Sequence, residues 1–114
     1  SRIKARERVP FSPKAKEDLE QLFSALLEMM GNLRDAFSTP HRPLLQEMVT
    51  KGQNLSSMLE DSRTRHWERV ETGICVPEAS SLYREILDSI RWSNEYIERM
   101  CKTLLDMSEL HATT

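Results

Sequence analysis

Where the five prolines fall constrains this chain more than any other feature. They sit at three points, Pro10 with Pro13, Pro40 with Pro43, and Pro77, and the stretches between these points contain none. Proline lacks a backbone N–H and its ring collides with the preceding helical turn, so a helix accepts it in the first turn and breaks around it elsewhere. Each point therefore reads as a helix start. Ser12 and Thr39 stand just before Pro13 and Pro40 as side-chain acceptors able to cap free N–H groups. Three long segments follow, about Pro13 to Phe37, Pro40 to Glu71 and Pro77 to Leu110.

All three carry apolar residues at helical spacing. In the first, Leu19, Leu22, Phe23, Leu26, Met30, Leu33 and Phe37 form one stripe, widened by Leu27 and Met29. The second has the weakest seam: Leu45, Met48, Leu55, Met58, Leu59 and Val70, with Gly52, Ser62 and His66 on the same face where apolar residues are missing. The third runs Leu82, Tyr83, Ile86, Leu87, Ile90, Ile97, Met100, Cys101, Leu104 and Leu105, interrupted by Ser93 and Asn94. An amide such as Asn94 in a seam fixes helix register. Gly52 costs about 1 kcal/mol relative to Ala, a loss that close helix approach offsets.

At 1.5 Å per residue the helices would be about 37, 48 and 50 Å long, and short turns between them force antiparallel neighbours. The expected fold is all-α, an antiparallel up-down-up three-helix bundle with long helices. Such helices hold more apolar positions than one small core uses, so Met29, Met58 and Met107 are expected to dock on a second copy or another domain.

Composition agrees with helices and one domain. Only 6% of the 114 residues are aromatic, beside six Met, whereas sheets recruit aromatic and β-branched side chains. Charge is uneven: residues 1–16 hold six Lys or Arg against one acid, and the remainder ten against seventeen. Residues 1–11 read as a basic leader and 12–112 as the bundle. The leader alternates Arg2, Lys4, Arg6 and Arg8 with Ile3, Ala5 and Val9. As a nucleic-acid arm it would be opposed by the acidic remainder and would lack an aromatic platform, so no nucleic-acid partner is expected. The readings left are a leader without function and a stretch emerging from a membrane helix on its cytoplasmic side, where Lys and Arg accumulate. No run approaches the roughly 18 apolar residues of a membrane span. The chain is expected to be soluble in itself, with an upstream membrane span left open by its start at Ser1.

Catalytic signatures are missing. There is no Gly-rich phosphate loop, no H-E-x-x-H and no G-x-S-x-G, so no catalytic residues are assigned and no enzyme is expected. Cys75 and Cys101 lack a C-x-x-C arrangement and suggest neither a disulfide framework nor a zinc site. His111 lies near the end of the chain and His41 in a helix's first turn. Mid-helix His66, next to Trp67, is either a metal or phosphate contact or a polar side chain at the bundle's edge. Acid pairs at helical spacing, Glu60 with Asp61, Glu85 with Asp88 and Glu95 with Glu98, raise a carboxylate metal bundle as an alternative. Such a site wants Glu-x-x-His, and no Glu here has a His three positions on. No metal or cofactor is expected.

Three stretches then carry a resemblance. Val9 to Leu19, VPFSPKAKEDL, resembles the "FS-x-x-A-x-x-E-L" start of a PhoU-like domain, which follows a basic stretch in proteins of the Na/Pi cotransporter family. Leu59 to Gly73, LEDSRTRHWERVETG, is similar to the "R-x-x-H-x-x-R-L-x-x-G" that ends the family's second helix, and Ser80 to Tyr96, SSLYREILDSIRWSNEY, resembles "S-S-L-Y-x-D-I-L-x-x-L-x-R-I-x-x-H". Their order and separation agree with one three-helix PhoU repeat over residues 9–105.

The resemblance implies a non-catalytic regulatory domain on the cytoplasmic side of a sodium-dependent phosphate transporter. Its partners would be the membrane domain of the same protein or a separate transporter, with a homodimer also open. It singles out His66, Arg69, Asn94 and Glu95 as motif positions without an assigned role. Metal-binding relatives carry paired acids where this chain has Arg91 and Glu95, and again across Gln53 to Ser57, which holds no carboxylate, so the resemblance implies no metal here. The position of the motif's "R-I" arginine is Trp92. The alternatives are a stand-alone PhoU-like regulator of phosphate signalling acting in trans, and the metal-carboxylate bundle.

Overall fold

The computed structural model describes residues 11–74 and 77–113, with side chains as far as residue 109. Residues 1–10 of the basic leader, Cys75 and the His111 side chain therefore lie outside what is described. The described residues form three helices and no strand: α1 (Pro13–Ser38), α2 (Arg42–Glu71) and α3 (Pro77–Thr113).

Helix ends follow local chemistry. Ser12 caps α1, its Oγ accepting from the Ala15 N–H at 3.1 Å ahead of Pro13 in the first turn. The second start departs from expectation. Thr39 closes α1 instead of capping α2, its N–H donating to the Asp35 carbonyl at 2.9 Å, and α2 begins at Arg42 with His41 just ahead of it. Had Pro40 led the helix, the ring of Pro43 would have met the Thr39 carbonyl four positions back. Starting at Arg42 leaves Pro43 where no N–H partner is needed, and the first bond runs from Leu45 N–H to His41 O at 3.0 Å. α2 ends on Gly73, whose φ of 76° is open to glycine and strained for other residues. Gly73 N–H donates to Val70 O at 3.1 Å and Ile74 N–H to Arg69 O at 2.9 Å, a Schellman closure of the last turn.

Across the helix pairs, residue numbers rise on one side as they fall on the other. Asp18 meets Arg65 and Glu28 meets Lys51 between α1 and α2. Between α2 and α3, Arg42 meets Glu109, Met48 meets Cys101, Gly52 meets Asn94 and His66 meets Ser80. α2 packs on both neighbours, and α1 and α3 touch each other least.

The core is a set of strict rows. α2 buries Leu45, Met48, Gly52, Leu55, Leu59, Ser62, His66 and Arg69, alternating steps of three and four, so the polar positions that weaken its seam lie inside. α3 buries Ala79, Tyr83, Leu87, Ile90, Asn94, Ile97, Cys101 and Leu104. In α1 the buried row is Ala15, Asp18, Leu19, Leu22, Leu26, Met29, Leu33 and Ala36. Phe23, Met30 and Phe37, expected inside, lie at the open edge of that row, because α1 is turned to bury Leu22, Met29 and Ala36 instead, with Met29 lying against Gly52 of α2. Of the three methionines expected to dock elsewhere, Met29 is a core residue at 2% exposure, Met58 packs partly buried against the core, and Met107 is exposed.

Candidate functional site

The polar half of the α2 seam meets both other helices at one end of the bundle. Ser62, His66 and Arg69 follow one another at steps of four and three, so all three point inward from the same face of α2. Opposite them α1 offers Asp18 on its buried row, and α3 offers Ser80 and Tyr83 from its first two turns.

Asp18 is the centre of the charge. Its Oδ2 accepts from Arg65 Nε at 3.1 Å and from Arg69 Nη1 at 3.5 Å, and Lys14 Nζ stands 3.7 Å from Oδ1. Arg65 also donates through Nη2 to Ser62 Oγ at 3.1 Å. Asp18 and Arg69 are both buried, while Arg65 and Lys14 reach solvent. A carboxylate taken out of water needs several donors to remain charged, and here cations from two helices surround it.

Tyr83 is the centre of the packing. The His66 ring stacks on it with centroids 4.4 Å apart and planes at 21°, the Phe11 ring meets it edge-on at 5.8 Å, and the Arg69 guanidinium lies 5.6 Å from its centroid. His66 Nε2 pairs with Ser80 Oγ at 3.0 Å, and Nδ1 has no partner among the described residues. Burial, then the positive charges of Arg69 and Arg84, pushes the imidazole below its ordinary value. Burial, then the Asp18 charge, pushes the Tyr83 phenol up. Tyr83 Oη and the Nε and Nη2 of Arg69 are likewise buried without a hydrogen-bond partner among the described residues. A neutral imidazole has a base's protonation state, but this one is enclosed by its neighbours. The ion pairs and stacked rings fasten three helices together.

Beside the cluster a surface cavity of about 590 Å³ is bounded by Ser12, Lys14, Arg65, Glu68, Arg69 and Thr72. Its cations are offset by Glu68 and by Asp18 behind them.

Of the four motif positions, the structure brings His66 and Arg69 together and leaves Asn94 and Glu95 apart from them. His66 is buried, not at the bundle's edge. Asn94 is buried midway along α3, its Nδ2 donating to the Gly52 carbonyl at 3.0 Å, and Glu95 faces solvent. Asp18 and Tyr83 carry the cluster and were not singled out from sequence as functional. Asp18 had a legible signal, an acid on the apolar row between Ala15 and Leu22. Among the described residues no group of three or more His, Cys, Asp or Glu side chains converges, and Arg91 pairs with Asp88 at 3.8 Å. No helix among them is long and apolar enough to cross a membrane.

Compared with family models, with curated proteins and with solved structures, the chain has no match.

Proposed function

We infer that the chain is a non-catalytic, PhoU-like regulatory module that acts on sodium-dependent phosphate transport from the cytoplasmic side of a membrane domain. That domain is either part of the same protein or a transporter on which the module docks. The observation that carries this reading is the meeting of its three motifs. Phe11 and Asp18 from the first, His66 and Arg69 from the second, and Ser80 and Tyr83 from the third all belong to one largely buried cluster. Residues spread over some seventy positions are thus parts of one object, as expected if they mark a common three-helix repeat rather than chance likenesses. The opposite order of contacts across α1/α2 and α2/α3 supports the up-down-up path.

In this reading the cluster is the rigid end of a lever. Charged and aromatic groups hold the three helices in fixed relation, so a shift of the module against its membrane domain is transmitted rather than absorbed. The test is the reading frame upstream of Ser1 together with uptake by its product. Several apolar spans of about 20 residues in that frame, and sodium-dependent uptake of radiolabelled phosphate by cells expressing it, are expected. A short frame without spans favours the stand-alone regulator acting in trans. A frame encoding catalytic signatures contradicts both.

A further inference from the structure

The side of the bundle where α1 and α3 approach each other least is an apolar groove. Its walls are two helical rows: Phe23, Met30 and Phe37, each seven residues from the next on α1, and Leu82, Ile86, Tyr96 and Met100 on α3. Leu26, Leu33, Ile90 and Ile97 form its floor. Two adjoining cavities, about 620 and 330 Å³, run along it and share Ser93.

We propose that this groove is a self-association surface, on which a second copy of the chain seats about a twofold axis near Ser93, with the helices of the two copies antiparallel. Three observations select that occupant. The first is area. Phe23, Met30, Phe37, Tyr96 and Met100 are 44, 51, 59, 59 and 38% exposed. With aromatic side chains of roughly 150–250 Å² each, that leaves on the order of 500 Å² of apolar surface. A standard interface buries about 800 Å² per partner, about 65% of it apolar in homodimers, which is the same amount.

The second is charge. Glu85 lines the lower cavity and Arg34 the upper one. Copies packed side by side in the same direction would set Glu85 against Glu85 and Arg34 against Arg34. An antiparallel twofold sets Arg34 of each copy opposite the partner's Glu85, a self-complementary pairing made twice. Among the described residues Arg34 is otherwise held only by its exposed neighbour Asp35 at 3.5 Å.

The third is the chemistry at the axis. Ser89 and Ser93 donate their hydroxyls to carbonyls of their own helix, Ser89 Oγ to Glu85 O at 3.0 Å and Ser93 Oγ to Ser89 O at 2.9 Å. The middle of the groove is therefore small and already satisfied, so a helix can lie close without stranding a polar group.

This inference stands independently of the transporter reading. It is tested by light scattering on the size-excluded chain at micromolar concentrations, with far-UV circular dichroism confirming that each variant keeps its helices. The wild-type chain is expected to be a dimer, and Met30→Glu to weaken it by on the order of tenfold or more in Kd. R34E and E85R chains are each expected to be monomers, and an equimolar mixture of the two to form a dimer again, since each interface pair is then opposite in charge. A monomeric wild-type chain, a dimer indifferent to Met30→Glu, or a mixture that stays monomeric overturns it.

Discussion

The Asp18 carboxylate of α1 and the Arg69 guanidinium of α2, 51 positions apart in sequence, face each other inside the bundle with Oδ2 and Nη1 at 3.5 Å. The separation is long for a hydrogen bond, and Arg65 from the next turn makes the closer contact at 3.1 Å. What matters is that both Asp18 and Arg69 are withdrawn from water, so each needs the other's charge.

Asp18→Asn keeps the shape and removes the charge, leaving Arg69 buried without its counter-ion. The expected loss is about 3 kcal/mol of unfolding free energy, because an unpaired buried charge costs more than the pair gains. Asp18→Leu combined with Arg69→Met should recover most of it. Urea denaturation of the three chains decides, and an Asp18→Asn chain within about 0.5 kcal/mol of wild type would remove the cluster's structural role.

His66 sets a pH dependence whose sign is fixed. Its folded-state value lies below the ordinary 6.5, first through burial and then through Arg69 and Arg84. The unfolded chain therefore binds the proton more readily than the folded one. Stability is full above the ordinary value and declines as pH falls from there towards the folded value, by up to about 1.4 kcal/mol per pH unit for this one group. Thermal unfolding between neutral and mildly acid pH should show the decline in wild type and a flatter profile in His66→Gln. An unchanged slope in the variant assigns the effect elsewhere.

Gly52 and Asn94 form the joint between α2 and α3. A Cβ at Gly52 would stand 3.4 Å from both Asn94 Oδ1 and Met29 Cε, at the limit of ordinary contact. Gly52→Ala is expected to change stability by less than about 1 kcal/mol, since better helix propensity offsets a tight fit. Gly52→Val adds methyls where no room remains and should cost about 1–3 kcal/mol. Equal stability of the two variants would contradict the packing at this joint.

Cys101 is buried against Met48, Sγ to Sδ at 3.9 Å, and burial followed by the Glu98 charge pushes its thiol up. A thiol of this kind is a poor nucleophile while folded. In a Cys75→Ser chain, a disulfide exchange reagent should label Cys101 only at the rate of unfolding, and fast labelling in native buffer would show that the core opens there.

The helices were legible because proline punctuation and three-four spacing act locally. Most of the buried rows of α2 and α3 follow from their spacing, including Gly52, Ser62 and His66 on the face where they break the apolar run, whereas Met100 of the α3 stripe is exposed and Arg69 and Ala79, outside the apolar stripes, are buried. The α1 row was ambiguous for a physical reason. Leu22–Met29–Ala36 and Phe23–Met30–Phe37 are adjacent seven-residue rows, and hydrophobicity favours the second, whereas the smaller first row is the buried one, its Met29 lying against Gly52 of α2. The Thr39–Pro43 corner is not legible locally, because of two prolines three residues apart only one can open the helix, and the fold uses Pro43. At the polar cluster, His66 and Arg69 were visible as motif residues. Asp18 was visible only as an acid on an apolar row, and its partners lie some fifty positions away, beyond the reach of local spacing.

Phosphate uptake tests the functional reading most directly. The complete product of the reading frame, expressed in cells with a sodium gradient, is compared with the same protein lacking residues 12–112 and with one carrying Asp18→Asn. Sodium-dependent uptake of radiolabelled phosphate is expected in all three, with its response to external phosphate lost in the deletion and blunted in Asp18→Asn. Absence of sodium-dependent uptake, or a phosphate response untouched by the deletion, would contradict the reading.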